Sequence, residues 1–179
     1  MKILIVEDGN DKRENIVNVV RTTLKENIEI AKTYFSAKNK LISIKKKYDL
    51  IILDMFLPDA KDDKELKGLA GKDLIFDMRN SGINTPVLVV TQYTEYTDES
   101  IDHKGEAKKL GMLENDLFGM DLDESSGKLY DCTYFEGLHE YLRSEIPMYL
   151  GIIFYSNQSK NWEEYLMYFI NKAKEVFSL

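Results

Sequence analysis

Apolar residues form short uninterrupted runs at several places along the chain. The runs are Lys2–Val6, Asp49–Leu53, Val87–Val90 and Tyr149–Tyr155, with Ile28–Ala31 as a weaker fifth candidate. The four stronger runs do not alternate apolar with polar positions, which indicates strands covered on both faces. The pattern therefore predicts five strands of a parallel sheet with helices on either side.

Between these runs, apolar residues recur at the spacing of an amphipathic helix. The helical faces comprise Ile16, Val19, Val20 and Leu24; Ala37, Leu41 and Ile44; Leu74, Ile75 and Met78; and Trp162, Tyr165, Leu166, Phe169, Ile170, Ala173 and Phe177, with a further helix over Thr133–Glu145. Strands that alternate with helices predict βαβ units with right-handed crossovers. We therefore expect an α/β fold with a doubly wound five-stranded parallel sheet in the order 2-1-3-4-5.

Two charged segments interrupt the alternation within what we interpret as a single domain over residues 1–179. Residues 60–70 form a small insertion, and residues 92–132 form a long one between the fourth and fifth strands, with a short helix expected at Glu106–Leu110. The long insertion contains 11 acidic and 4 basic residues, so its net charge equals the −7 of the whole chain. It is either a solvated loop or an acidic docking surface for a basic partner.

Charge and apolar content limit the class of protein. A net charge of −7 argues against nucleic-acid binding, which requires a clustered basic surface. The N-terminus lacks the pattern of a signal peptide, and no segment reaches the ~18 apolar residues of a membrane span. The single cysteine, Cys132, fits a reducing compartment. We expect a cytoplasmic protein with neither nucleic-acid nor membrane partners.

Oxygen-bearing side chains follow three of the predicted strands. Glu7 and Asp8 follow the first strand, Asp54 follows the third and Thr91 follows the fourth. In the expected order the first and third strands are neighbours, and their carboxyl ends form the crevice where such sheets bind ligands. Three carboxylates there repel one another unless a cation is present, and Mg²⁺ prefers oxygen ligands. Alternatively, Glu7 and Asp8 open a solvated turn before a helix.

Three segments of the sequence resemble one known family. They are "ILIVEDGNDKRENI", "DLIILDMFLP" and "TPVLVVTQY", and they resemble the receiver domain of two-component response regulators. The matching features are the acidic pair Glu7 and Asp8, then Asp54 with Pro58 four residues later, and then Thr91. The resemblance is good over residues 1–92 and looser in the C-terminal part.

The resemblance implies a phosphoacceptor site that binds Mg²⁺. Asp8 and Asp54 would bind the metal directly, Glu7 mostly through water, and the backbone carbonyl of Phe56 would complete the protein ligands. Asp54 would be the nucleophile that takes a phosphoryl group from a histidine kinase or phosphotransfer protein, and Thr91 would contact that group and act as the switch. Because no effector segment follows the last helix, we expect a stand-alone receiver that signals to an unidentified protein target.

One departure from the family pattern, and the residues at two neighbouring positions, affect the chemistry expected of the site. A lysine is expected after the fifth strand, but "FYSNQSK" offers Lys160 as the nearest cation, so Lys160 is the candidate substitute. The positions two residues after the aspartate and two after the threonine hold Phe56 and Tyr93, which are bulky aromatics. In the family, these two positions influence how water reaches the acyl phosphate. We therefore expect slow autodephosphorylation.

The absent lysine leaves other functional classes open. A pseudo-receiver, which acts as a phosphorylation-independent interaction module, is the main alternative. An aspartate-nucleophile phosphohydrolase would need a second aspartate two residues after the nucleophile as general acid. Because Phe56 stands at that position, this class ranks last.

Overall fold

The computed structural model describes residues 1–24, 27–44, 47–59, 66–67, 69–92, 136–157 and 160–177. The strands in these parts of the chain are β1 (Lys2–Val6), β2 (Asn27–Ala31), β3 (Leu50–Leu53), β4 (Leu57–Pro58), β5 (Leu66–Lys67), β6 (Val87–Thr91) and β7 (Tyr149–Phe154). Five of them form one parallel sheet in the order β2-β1-β3-β6-β7. The predicted α/β fold and strand order are confirmed.

Helices connect the strands of this sheet. They are α1 (Asn10–Leu24), α2 (Tyr34–Lys38), which continues into a π-helical turn at Asn39–Ser43, α3 (Ala70–Asn80), α4 (Glu136–Glu145) and α5 (Asn161–Phe177). The Thr33 side chain caps α2 by accepting a hydrogen bond from the backbone N–H of Ser36 at 3.0 Å. Each helix therefore corresponds to a segment whose apolar residues recur at helical spacing.

The central strands are buried along their whole length. Every residue of β3 and of β6 is buried, and Ile52 of β3 lies between Ile5 of β1 and Leu88 of β6. Helices cover both faces of a doubly wound sheet, so neither face of these strands needs polar residues. This is why the strand sequences are continuous apolar runs, and it brings the carboxyl ends of β1 and β3 side by side.

The edge strand β7 is irregular near its start. Its register against β6 shifts between the pairs that contain Val87 and Leu88. Gly151, next to this shift, has a φ of 148°, and a Cβ atom there would lie 3.0 Å from the ring of Phe169 on α5. Glycine at this position therefore allows both the strained backbone and the close packing of α5 on the strand.

The two predicted insertions are described only in part. Leu57 and Pro58 of β4 pair with Lys67 and Leu66 of β5 in a small antiparallel sheet, which the sequence analysis did not foresee. Residues 60–65, 68 and 93–135, including the expected helix at Glu106–Leu110, lie outside the described residues. Among the helices that can be described, none has both the length and the apolar content that crossing a membrane requires.

Candidate functional site

The site begins where backbone pairing runs one residue past the ends of β1 and β3. The backbone N–H of Asp54 donates to the carbonyl of Val6 at 2.9 Å, and the N–H of Glu7 donates to the carbonyl of Ala31 at 3.0 Å. These two bonds fix the backbone at Glu7 and Asp54 in the register of the sheet. Both carboxylates therefore extend from rigid elements rather than from loops.

The three acids predicted from the sequence lie together. Ligand oxygens of Glu7, Asp8 and Asp54 are all within 4.8 Å of one another. Glu7 is 2% exposed and Asp54 4% exposed, whereas Asp8 is half-buried. Two carboxylates with almost no access to water need a compensating positive charge.

Lys12, in the first turn of α1, supplies that charge. Its Nζ atom lies 2.7 Å from Oε2 of Glu7 and 3.1 Å from Oδ1 of Asp54, and its side chain is 4% exposed. The same Asp54 oxygen accepts a hydrogen bond from the backbone N–H of Met55 at 2.8 Å. One ammonium group therefore bridges the two buried carboxylates, a contact that the sequence analysis missed.

Burial controls the protonation of the two bridged acids. Loss of hydration raises the pKa of Glu7 to about 7; the charge of Lys12 opposes this rise and the charge of Asp54 adds to it. Burial likewise raises the pKa of Asp54, while Lys12 and the Met55 N–H lower it and Asp8 raises it. Lys12 therefore offsets only part of the cost of placing these carboxylates together.

Arg13 holds the turn between β1 and α1. Its Nη1 atom donates to the carbonyl oxygens of Glu7, Asp8 and Gly9 at 3.2, 2.9 and 3.3 Å, and Nη2 donates to the side-chain oxygen of Asn10. The Arg13 side chain is buried. The adjacent cations therefore divide the work: one binds the side chains of the acidic site and the other binds its backbone.

Gly71 allows α3 to approach the backbone of Asp54. Its N–H donates to the carbonyl of Met55 at 3.0 Å. A Cβ atom on Gly71 would lie 2.4 Å from the carbonyl oxygen of Asp54 and 2.8 Å from Cα of Met55. Glycine is the residue that leaves room for this contact, and the sequence analysis did not single it out.

Thr91 and Tyr155 meet on the other side of Asp54, at the ends of β6 and β7. Thr91 is fully buried, and its carbonyl accepts a hydrogen bond from the N–H of Tyr155 at 2.7 Å. The Tyr155 hydroxyl accepts a hydrogen bond from Nδ2 of Asn15 at 2.7 Å and donates to the side-chain oxygen of Asn157. A tyrosine bound to α1 thus follows the strand after which a lysine was expected.

The remaining predicted residues lie in different settings. Lys160 is exposed just before α5, where its carbonyl accepts a hydrogen bond from the N–H of Glu163 at 2.9 Å. Phe56 is 8% exposed in the segment after Asp54. Tyr93 lies outside the described residues. The roles assigned to Lys160, to the Phe56 carbonyl and to Tyr93 stay predictions.

By residue type, the acidic cluster fits a divalent cation. Three carboxylates at this spacing form a hard oxygen ligand set of the kind that Mg²⁺ binds while keeping several waters. Oε2 of Glu7 and Nζ of Lys12 are both buried, and they lie 2.7 Å apart as an ion pair. Glu7 Oε2 could therefore serve a metal ion directly or through water.

Comparisons with known sequences point to one family. No family model matches the chain. The Detocs response regulatory protein DtcB from Enterobacter cloacae is 38% identical over 103 residues, which cover 52% of this chain and 66% of that protein. The transcriptional regulatory protein CiaR from Streptococcus pneumoniae is 31% identical over 111 residues, which cover 62% of this chain and 42% of that protein. The similarity thus spans only part of each curated relative.

Solved structures of response regulator domains resemble this chain in fold over nearly its whole length. The N-terminal domain of a response regulator/sensory box/GGDEF protein from Carboxydothermus hydrogenoformans has a TM-score of 0.56 and 20% identity, covering 99% of this chain and 97% of that one. This chain carries a response regulator receiver domain. The receiver domain of the Francisella response regulator 1452 shares its fold, with a TM-score of 0.53 and 17% identity over 98% of each chain.

The sequence itself held a signal for the two missed cations of this receiver domain. Lys12 and Arg13 are adjacent, and they follow the acidic pair by about one helical turn in "EDGNDKRENI". A helix that begins directly after a strand starts at the strand's carboxyl end, so the first turn of α1 lies beside the site. Cations in that turn unfavourably oppose the helix dipole, which indicates that they have another partner.

Proposed function

We propose that this receiver domain accepts a phosphoryl group on Asp54, with a divalent cation bound beside it, and passes the signal on through protein contacts. The position of Asp54 carries the proposal: it is a buried carboxylate at the carboxyl end of a central strand, with two other acids within 4.8 Å. That is the ligand-binding crevice of a doubly wound sheet. The stand-alone arrangement expected from the sequence stays a prediction.

The proposed reaction is the transfer of a phosphoryl group between side chains. A carboxylate oxygen of Asp54 attacks the phosphorus of a phosphohistidine, the phosphorus–nitrogen bond breaks, and the histidine nitrogen leaves with the electron pair and takes up a proton. The product is an aspartyl acyl phosphate. Burial supports this step because a poorly hydrated carboxylate gives up little solvation when it attacks.

Neighbouring residues have distinct parts in the proposal. Asp8 and Asp54 would hold the metal ion directly, Glu7 would act mostly through water, and the Phe56 carbonyl would complete the set. A bound divalent ion such as Mg²⁺ supplies positive charge against the charge that develops on the transferred group. Thr91, at the end of the adjacent strand β6, contacts a phosphoryl oxygen through its hydroxyl.

The proposed donor is a histidine kinase or phosphotransfer protein. Receiver domains as a family interact with such proteins, and one of the sequence relatives is a response regulatory protein. Recognition of a protein donor requires an accessible path to Asp54. Asp8 is half-buried, and Gly9 and Asn10 beside it are exposed, so the β1–α1 turn is a surface that a donor could contact.

One observation favours a second candidate, a pseudo-receiver that works without phosphorylation. Lys12 already neutralises part of the charge on Glu7 and Asp54, so the site has its own cation. A receiver fold stabilised in this way could bind partner proteins in a single conformation. The two candidates differ in whether Asp54 ever becomes phosphorylated.

Intact mass spectrometry after incubation with acetyl phosphate and Mg²⁺ separates these candidates. We expect one phosphoryl adduct on the wild-type protein and none on Asp54→Asn. Asp49→Asn is the matched control, because Asp49 precedes the same strand that Asp54 follows, and it accepts a hydrogen bond from the N–H of Lys2. This variant should keep the adduct. Absence of an adduct on the wild-type protein, or an adduct that survives Asp54→Asn, would contradict the proposal.

A further inference from the structure

The Lys12 ammonium lies between the carboxylates of Glu7 and Asp54 and bridges them. It contacts one oxygen of each carboxylate, at 2.7 and 3.1 Å. Nζ is buried, and the contacts that the structure describes for it are with these two carboxylates. Lysine is seldom this deeply buried unless it is paired with acids. Its position is therefore set by the two carboxylates.

Two further residues keep α1 where Lys12 can reach the acids. Arg13 binds the carbonyl groups of the turn that precedes the helix. Asn15, three residues after Lys12 and so on the same face of the helix, donates to the Tyr155 hydroxyl at 2.7 Å. The helix is thus held to the turn after β1 by Arg13 and to the residue after β7 by Asn15. The lysine side chain is the part of this arrangement that can move, because its four-carbon stem is flexible.

We propose that Lys12 is a tethered cation that competes with a divalent metal ion for Glu7 and Asp54. This inference rests on the metal site in the proposed function, not on phosphorylation itself. An ion bound at Asp54, with Glu7 reached through water, and an ammonium group in contact with both of these carboxylates would repel each other strongly at this distance in a poorly solvated site. Metal binding therefore requires the ammonium to leave at least one carboxylate.

The competition has consequences for both states of the site. Without metal, Lys12 offsets the repulsion between the buried carboxylates and keeps the crevice in its folded geometry. With metal bound, the displaced ammonium is held near Asp54 by its own helix. Removing its charge should therefore strengthen metal binding and weaken the metal-free fold. A lysine that only filled space would produce neither effect.

Isothermal titration calorimetry with MgCl₂ and with MnCl₂ tests the competition on unphosphorylated protein. Lys12→Met should bind both ions at least tenfold more tightly than wild type, whereas Lys12→Arg, which keeps the charge, should bind with no gain. Arg21→Met is the matched control, because it removes one positive charge from the exposed last turn of the same helix. It should change affinity less than twofold. Unchanged or weaker binding by Lys12→Met would overturn the proposal.

A second measurement uses the wild-type protein and so does not depend on how the variants fold. Brief acetylation followed by peptide mass spectrometry reports the reactivity of each lysine amine. Lys12 should be protected without metal and acetylated several times faster at saturating MgCl₂, while Lys172, which is exposed on α5, serves as the internal reference and keeps its rate. Lys12 acetylation that stays equally slow at saturating MgCl₂ would overturn the proposal.

These tests are independent of the phosphorylation experiment. If Lys12→Met tightens metal binding but Asp54 never gains a phosphoryl group, the competition holds and the proposed phosphoacceptor function fails. If Asp54 is phosphorylated but Lys12→Met leaves metal affinity unchanged, the function holds and the competition fails.

Discussion

The carboxyl ends of β1 and β3 differ sharply from the carboxyl end of β7, although the three strands are parallel and end on the same side of the sheet. At the first two, buried Glu7 and Asp54 meet a buried ammonium from α1. At β7, Tyr155 joins Asn15 and Asn157 through hydrogen bonds between neutral groups. We call the site at β1 and β3 the charged end, because its carboxylates and its ammonium group stabilise one another. We call the site at β7 the neutral end, because its hydrogen bonds join uncharged groups.

Within the described parts of the chain, the cation that contacts the buried acids comes from the helix α1 and not from the residues after β7. The family pattern expects a lysine after the strand that corresponds to β7, and that strand is followed here by Tyr155. α1 contacts both places, with Lys12 at the acids and Asn15 at the tyrosine. The helix therefore links the charged end of the sheet to the neutral end. Substitutions at the two ends should accordingly differ in size and in kind.

The largest effect is expected from Gly71→Ala, which acts on the charged end through the backbone. The new Cβ would lie 2.4 Å from the carbonyl oxygen of Asp54, so α3 or the Asp54 backbone must shift. We expect the free energy of unfolding to fall by about 3 kcal/mol, the upper part of the range for overpacking. Urea denaturation measures the loss, and metal titration should show weaker binding because Asp54 moves.

Gly82→Ala is the matched control for that substitution. Gly82 has a φ of 69°, and a Cβ atom there would meet nothing within 4 Å, so only backbone strain is added. Its cost should be about 1 kcal/mol with metal binding unchanged. Equal losses in the two variants would show that the approach of α3 to Asp54 is not the constraint we infer.

A smaller effect is expected from Arg13→Met, which acts on the charged end without removing an acid. The substitution deletes three hydrogen bonds to carbonyl groups of the β1–α1 turn. Bonds from a charged donor contribute about 1.5–3 kcal/mol, so the unfolding free energy should fall by about 2 kcal/mol. Arg79→Met is the control, since Arg79 is exposed and its ion pair with Glu145 should contribute less than about 1 kcal/mol. Losses of similar size in the two variants would contradict the inference that Arg13 stabilises the β1–α1 turn.

The sequence predicted features that are determined within one strand or by the order of the strands. It did not predict contacts that depend on how separate elements pack. The strands were predictable because a strand covered on both faces must be apolar at every position, as in "LIIL" of β3. The acids were predictable because parallel strands end at one edge. Lys12 was not recognised, although a cation in the first turn of a helix opposes the helix dipole, because the burial of its side chain depends on how α1 lies across the sheet. Gly71 was missed for a similar reason, because its contact with Asp54 joins separate elements.

The smallest effect is expected from Tyr155→Phe, which acts on the neutral end. The substitution keeps the ring against Trp162, at 4.9 Å between centroids, and removes the hydroxyl that joins Asn15 to Asn157. We expect a loss of about 1 kcal/mol, because both amide side chains reach solvent and can rebind water. Metal affinity and the Asp54 adduct should be unchanged, since no charge is altered. A change in metal affinity as large as that from Lys12→Met would mean that Tyr155 positions the ammonium through α1, and that the two ends of the sheet act as one site.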